Sequence, residues 1–163
     1  MLKKIFVIGL VLSSVSAVAG SYSGPCEGGT LVTAHSSTDT GCSGGMCNGY
    51  TFCMSDRPVN WWTAFLWCEA NEGKLASLAS LCPRAVLPPG SSTQAVECPN
   101  LNGVRGSGRT LVWTNISYPT QKRYAYMLNI GDGKLGGFDK DCIPGKYSSV
   151  LYAICEGREA TGN

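Results

Sequence analysis

The chain has 163 residues, with 13 lysines and arginines against 11 acids and a single histidine. That length suits one domain with a real core, and so even a charge balance without a basic stripe excludes a nucleic-acid surface. Nine cysteines beside one histidine point to a disulfide scaffold rather than a metal centre.

The chain opens Met1-Leu2-Lys3-Lys4, runs apolar over residues 5–12, and reaches Ala17-Val18-Ala19. A charged start, a short apolar run and an A-x-A site predict a signal peptide over 1–19, bacterial in look. The expected product is exported: secreted, periplasmic or on the cell surface. The apolar run is far shorter than the roughly 20 residues a spanning helix needs, and no later stretch reads as a span. Removing 1–19 takes away Lys3 and Lys4, which leaves the mature part formally neutral.

Residues 20–46 are rich in Gly, Ser, Thr and Cys with little periodicity. They read as a loop-rich N-terminal segment held by local disulfides. Residues 50–54 are a short strand candidate, broken by Asp56-Arg57-Pro58. The clearest helix follows. Asn60 is a good N-cap, and Trp61, Ala64, Phe65 and Cys68 fall on one helical face. Gly73 is the expected stop. Of Trp61, Trp62 and Trp67, Trp62 is the one whose position leaves it free for a ligand.

Residues 82–110 carry Cys82-Pro83, Pro88-Pro89-Gly90, Cys98-Pro99 and several glycines. Regular structure is not expected there, and a loop this long is usually functional or stapled. Residues 110–116 read as a strand around Trp113. Tyr124, Tyr126, Leu128 and Ile130 alternate as in a half-buried strand, and Gly131-Asp132-Gly133 is a turn. Residues 150–155 close the chain as a last strand, with Leu151, Ala153 and Cys155 on one face. One helix, a long loop, then antiparallel strands make an α+β fold.

The nine cysteines are an odd number, so one thiol stays free or bonds another chain. Cys42-x4-Cys47-x5-Cys53 lacks zinc-knuckle spacing, and no Cys-x-x-Cys redox pair occurs. His35 sits in a polar stretch with no second histidine. No Gly-x-Ser-x-Gly elbow or His-Glu-x-x-His helix is present, so no catalytic residue, enzyme class or cofactor is assigned.

Trp61-x-x-Ala64-x-x-x-Cys68, then Gly73-Lys74-Leu75-Ala76-Ser77, Val112-Trp113-Thr114 and Tyr152-Ala153-Ile154-Cys155-Glu156 form an ordered set. This set resembles the C-type lectin-like domain family over about residues 47–157, leaving 158–163 as a tail. The resemblance implies a C-type lectin-like fold: one main helix, antiparallel strands and a long ligand loop. It also implies a bond between Cys68 and Cys155. Closing a loop of roughly ninety residues is worth about 4–5 kcal/mol in the chain-entropy model.

The second family bridge joins a middle strand to the position that Cys142 occupies here. Its partner would fall near Ala125 or Met127, neither a cysteine. Cys142 then bonds Cys82, Cys98 or an N-terminal cysteine, or stays free, and Cys82 and Cys98 bond each other in one of these arrangements. The calcium ligands of the family's lectins also fail to line up. The loop reads Glu97-Cys98-Pro99-Asn100, and the second motif reads Gly137-Phe138-Asp139. Asp139 with Asp141 nearby does not supply six to eight oxygens.

The expected function is therefore recognition or adhesion: a non-enzymatic, calcium-independent module binding an extracellular protein or carbohydrate. Arg84, Arg105 and Arg109 on the long loop, with Trp62 on the helix, are the expected ligand-binding residues, since arginine forks contact carboxylates and planar groups. The alternative is a structural or assembly subunit of a surface appendage, linked through the odd cysteine.

Overall fold

A computed structural model describes residues 21–35, 51–82, 100–101, 109–143 and 150–158. Among them the chain forms β1 (Gly29–His35), β2 (Thr51–Ser55), α1 (Trp61–Ala70), β3 (Gly73–Leu75), α2 (Leu78–Leu81), β4 (Asn100–Leu101), β5 (Leu111–Ser117), β6 (Tyr124–Asn129), β7 (Lys134–Asp139) and β8 (Ile154–Gly157). The fold is α+β with two antiparallel sheets. One has the order β3-β8-β2-β1-β4, the other β5-β6-β7.

The last strand, β8, lies between β3 and β2, so both ends of the core meet in one sheet. The sheets are joined where Val112 and Tyr152 form a parallel bridge. There Trp113 N donates to Tyr152 O at 3.0 Å and Tyr152 N to Leu111 O at 3.0 Å.

Period-two alternation divides the interior into two clusters. Phe52, Met54, Val112, Tyr126, Leu128 and Ile154 point into one. Cys53, Trp113, Ala125, Leu151, Ala153 and Cys155 point into the other, which α1 covers with Trp61, Ala64 and Cys68. Fully buried Trp113 donates its Nε1–H to Val59 O at 2.8 Å, and Trp61 donates its own to Thr114 O at 2.9 Å. These two indoles are structural, each with its polar atom satisfied.

The helix forms as its sequence predicts. Asn60 is extended, and its side chain accepts from Thr63 N. This caps one of the donors that a helix start leaves open. The end differs from expectation. The helix stops at Ala70, and Glu72, not Gly73, takes the left-handed conformation at φ 62°. Gly73 begins β3 instead, where a Cβ would lie 2.8 Å from the Tyr22 ring and 3.0 Å from Glu156 O. Close approach of the Tyr22 ring and the β8 backbone, not backbone freedom, requires glycine here.

The N-terminal segment departs from the loop-rich reading. Its residues 29–35 are β1, paired in register with β2 from Gly29↔Ser55 to Thr33↔Thr51. Val32 is the buried anchor of this strand, while Thr30 and Leu31 face outward. With adjacent Thr30 and Leu31 both exposed, the start of the strand shows little alternation to read. The disulfide there is not local to the segment either. Cys26 bonds Cys53 on β2, with Cα atoms 5.5 Å apart.

Cys68 on α1 bonds Cys155 on β8, as expected, with a Cα separation of 5.4 Å, within the usual range. Two differences remain in the C-terminal third. Lys134–Asp139 is a strand, β7, where no strand was expected. The closing strand starts later than residue 150, at Ile154.

Candidate ligand-binding surface

The cap at Asn60 fixes the phase of α1, and the phase decides which tryptophan faces out. With Trp61, Ala64 and Cys68 turned inward, Trp62 and Leu66 lie one turn apart on the outer face. They are 51% and 68% exposed. Scattered exposed leucines are ordinary. A half-exposed tryptophan held in a fixed pose is more informative.

Three contacts hold Trp62. Its Nε1–H donates to Asp141 Oδ1 at 2.9 Å. Its ring meets Trp61 edge to face, centroids 4.8 Å apart at 79°. The Lys140 ammonium lies 5.4 Å from its centroid and 4.3 Å from that of Trp61. Lys140 is buried, and its Nζ also donates to Ser117 Oγ at 2.8 Å. Cation–π attraction between desolvated partners is worth up to about 2 kcal/mol.

Asp141 is itself positioned. Its backbone N–H donates to Asp139 Oδ1 at 3.0 Å, while Asp139 Oδ2 pairs with Arg123 Nη2 at 2.6 Å. The Arg123 hydrogen bond, helped by the Asp141 N–H, holds the Asp139 carboxyl below its ordinary range. The same hydrogen bond raises the Arg123 guanidinium. Arg123, Asp139, Asp141 and Trp62 thus form a relay from the turn before β6 and the end of β7 to the outer face of α1.

The loop residues expected to bind ligand fare differently. Arg84 and Arg105 lie outside the described residues. Arg109 is described and is not a free fork. Its Nη1 pairs with Asp56 Oδ1 at 2.8 Å and reaches Ser55 O at 3.4 Å. The half-buried guanidinium fastens the start of β5 to the end of β2. The turn acid Asp56 is what recruits it. Trp62 is exposed, as the helical phase predicted. Arg123, Lys140 and Asp141 were not anticipated, and no local motif marks them.

Of the arrangements open to Cys142, the unbonded one is found. It is a free thiol, 7% exposed, in the same cluster as fully buried Ala125. The middle strand offers it an alanine, and an alanine cannot bond. Burial pushes its thiol pKa up, and the negative charges of Asp139 and Asp141 add to this. A protonated, enclosed thiol is a poor nucleophile. Cys82 is disulfide-bonded, and Cys98 lies outside the described residues.

Among the described residues no three His, Cys, Asp or Glu side chains cluster as a metal site. The carboxylates near β7 are engaged instead. Asp139 is held by Arg123. Asp132 accepts from Lys134 N at 3.0 Å and pairs with Lys134 Nζ at 3.3 Å. No helix among these residues is long and apolar enough to cross a membrane. The disulfides Cys26–Cys53 and Cys68–Cys155 are compatible with an extracellular or secreted protein. In comparisons with family models, curated proteins and solved structures, nothing matches the chain.

Proposed function

We propose that this chain is an exported, non-enzymatic recognition module of C-type lectin-like kind, binding an extracellular protein or carbohydrate without calcium. The observation that carries the reading is the fixed, half-exposed indole of Trp62, pinned by Asp141 and backed by Trp61. A rigid aromatic side chain offers contact area with little rotamer freedom left to lose on binding.

Three features support the lectin-like part. The helix cysteine bonds the last strand. The last strand returns between the first strands of the fold. The motif segments around Trp61, Gly73, Trp113 and Cys155 fall on α1, β3, β5 and β8. The calcium-independent part rests on the cysteine that splits Glu97-Cys98-Pro99-Asn100 and on the engagement of Asp139 by Arg123. The assembly alternative draws nothing from Cys142, whose burial keeps it from a bond to another chain.

The test is a binding screen of the disulfide-intact protein against arrays of glycans and extracellular proteins, with and without chelator. Binding that persists in chelator and falls with Trp62→Ala supports the reading. Binding abolished by chelator, or a screen in which no ligand is held, overturns it.

A further inference from the structure

We infer that the outer face of Trp62, flanked by the Asp141 carboxylate, is a stacking subsite for a neutral pyranose sugar. The inference rests on the recognition reading above and names the ligand class for that surface.

The argument begins with which groups at the surface still have bonding capacity. The Trp62 N–H is already used by Asp141 Oδ1. The indole therefore offers a ligand its π face and no donor. Beside it stands an exposed carboxylate, which accepts at two oxygens and about four lone-pair sites, only one of them taken by the indole. A fitting ligand must bring polarised C–H bonds to the ring and O–H donors to the carboxylate.

A pyranose has both within one small unit. The C–H groups on one side of its ring carry the partial positive charge that the negative aromatic face attracts. Hydroxyls at the ring's rim point sideways, where an acceptor beside the indole can receive them. Hydrogen bonds to a charged acceptor are stronger than neutral ones. The negative charge of Asp141 also selects against sugars bearing a carboxylate, since like charges at short range repel.

The pose of the ring is set before any ligand arrives. Trp61 meets it edge to face and Asp141 fixes its nitrogen. Lys140, held by Ser117, occupies the space next to both indoles. Lys140 lies over one side of the Trp62 ring, and the exposed half of the side chain is left for a flat partner. A peptide partner would use Leu66 as well, one turn along and more exposed than Trp62. A sugar stacked on Trp62 and bonded to Asp141 would not need it. Leu66 therefore distinguishes the two occupants.

The experiment follows the four tryptophan indole N–H resonances in nitrogen-15-labelled, disulfide-intact protein. The probes are cellohexaose, chitohexaose and mannohexaose, with oligogalacturonate as the charged comparison. At least one neutral hexasaccharide is expected to shift the Trp62 resonance at millimolar concentration and leave Trp113 unmoved. Oligogalacturonate should shift it less. Trp62→Ala should weaken that binding about tenfold or more, within the range set by loss of an aromatic contact and its buried area. Asp141→Ala should weaken it several-fold, and Leu66→Ala should leave it unchanged. The resonance shift needs no variant, so the test survives if one fails to fold. If no neutral sugar moves Trp62, the sugar subsite is wrong, and a protein ligand lost on Trp62→Ala would still uphold the recognition reading. If a sugar binds equally well to Trp62→Ala, the site lies elsewhere and the inference falls. Equal loss on Leu66→Ala also overturns it, in favour of a broader protein footprint.

Discussion

Glu156 faces Lys74 across the β3–β8 pair, with Lys74 Nζ 3.5 Å from its Oε1, while its Oε2 is buried without a hydrogen-bond partner. Glu156 is 1% exposed, whereas much of Lys74 is in solvent. Among the described residues the lysine is thus the ion-pair partner of a carboxyl group almost wholly out of water. Lys74→Met is expected to cost about 2–3 kcal/mol, because it takes the paired cation from a carboxylate whose second oxygen already lacks a partner. Glu156→Gln keeps the shape and should cost under about 1 kcal/mol, or stabilise, because it removes the need for compensation. Urea titrations of both variants test the order, and a larger loss for Glu156→Gln would refute it.

Two disulfides, both within the described residues, close loops of different length and should differ accordingly. Cys68–Cys155 spans 87 residues and Cys26–Cys53 spans 27. Chain entropy gives about 4.5 kcal/mol for the first and about 3.5 kcal/mol for the second. Replacing each pair by alanine should reproduce that order in chemical denaturation. An inverted order would mean that packing around Cys26, not loop closure, dominates.

Glu72 sits at φ 62° beside Gly73, and the two positions want opposite substitutions. Left-handed backbone costs a residue with a Cβ about 1–2 kcal/mol, offset in part by the extra chain entropy of glycine. Glu72→Gly should therefore stabilise the fold by about 0.5–1 kcal/mol. Gly73→Ala should destabilise it by about 1–3 kcal/mol, since its Cβ meets Tyr22 and the backbone of β8. Melting temperatures of the two single variants check both signs.

How much of this was legible beforehand depended on how local each signal was. Helix α1 was legible because its cap, its apolar face and its outward tryptophan all lie within a few residues. β7 was not, because Gly136-Gly137 has no strand preference of its own. Its support is the Tyr118 ring, which lies where a Gly137 Cβ would be, 2.9 Å from the nearest ring carbon. That ring covers the glycine surface from outside the strand. β1 was hidden for a related reason, since its partner strand rather than its own pattern defines it. The same holds for the surface. Trp62 could be read from helical phase, but Asp141 lies 79 residues away in sequence. Arg109 looked available for a ligand because nothing nearby in sequence marks Asp56 as its partner.

Acid should loosen the Trp62 platform through Asp139, although Asp139 does not touch the indole. The hydrogen bond from Arg123 comes first among the causes that hold the Asp139 pKa below its ordinary 3.8, followed by the Asp141 N–H. A group whose folded pKa is depressed contributes stability above its unfolded value and loses it as pH falls through the folded value. The platform should thus stay intact from neutral pH down to about 4 and loosen only below that, as Asp139 takes up a proton and releases Arg123. The Asp139 carboxylate is also the acceptor for the Asp141 N–H, so that link weakens when Asp139 is protonated. Arg123→Ala removes the largest cause of the shift, so the Asp139 titration should move up towards 3.8. Because Arg123 is largely in solvent, the change in global stability should be small. The readouts are the Asp139 carboxyl carbon resonance and the Trp62 indole N–H resonance across an acid titration. A shared midpoint that rises in Arg123→Ala supports the relay. An Asp139 titration that does not move in that variant would remove Arg123 as its cause, and an indole signal indifferent to Asp139 would break the link to Trp62.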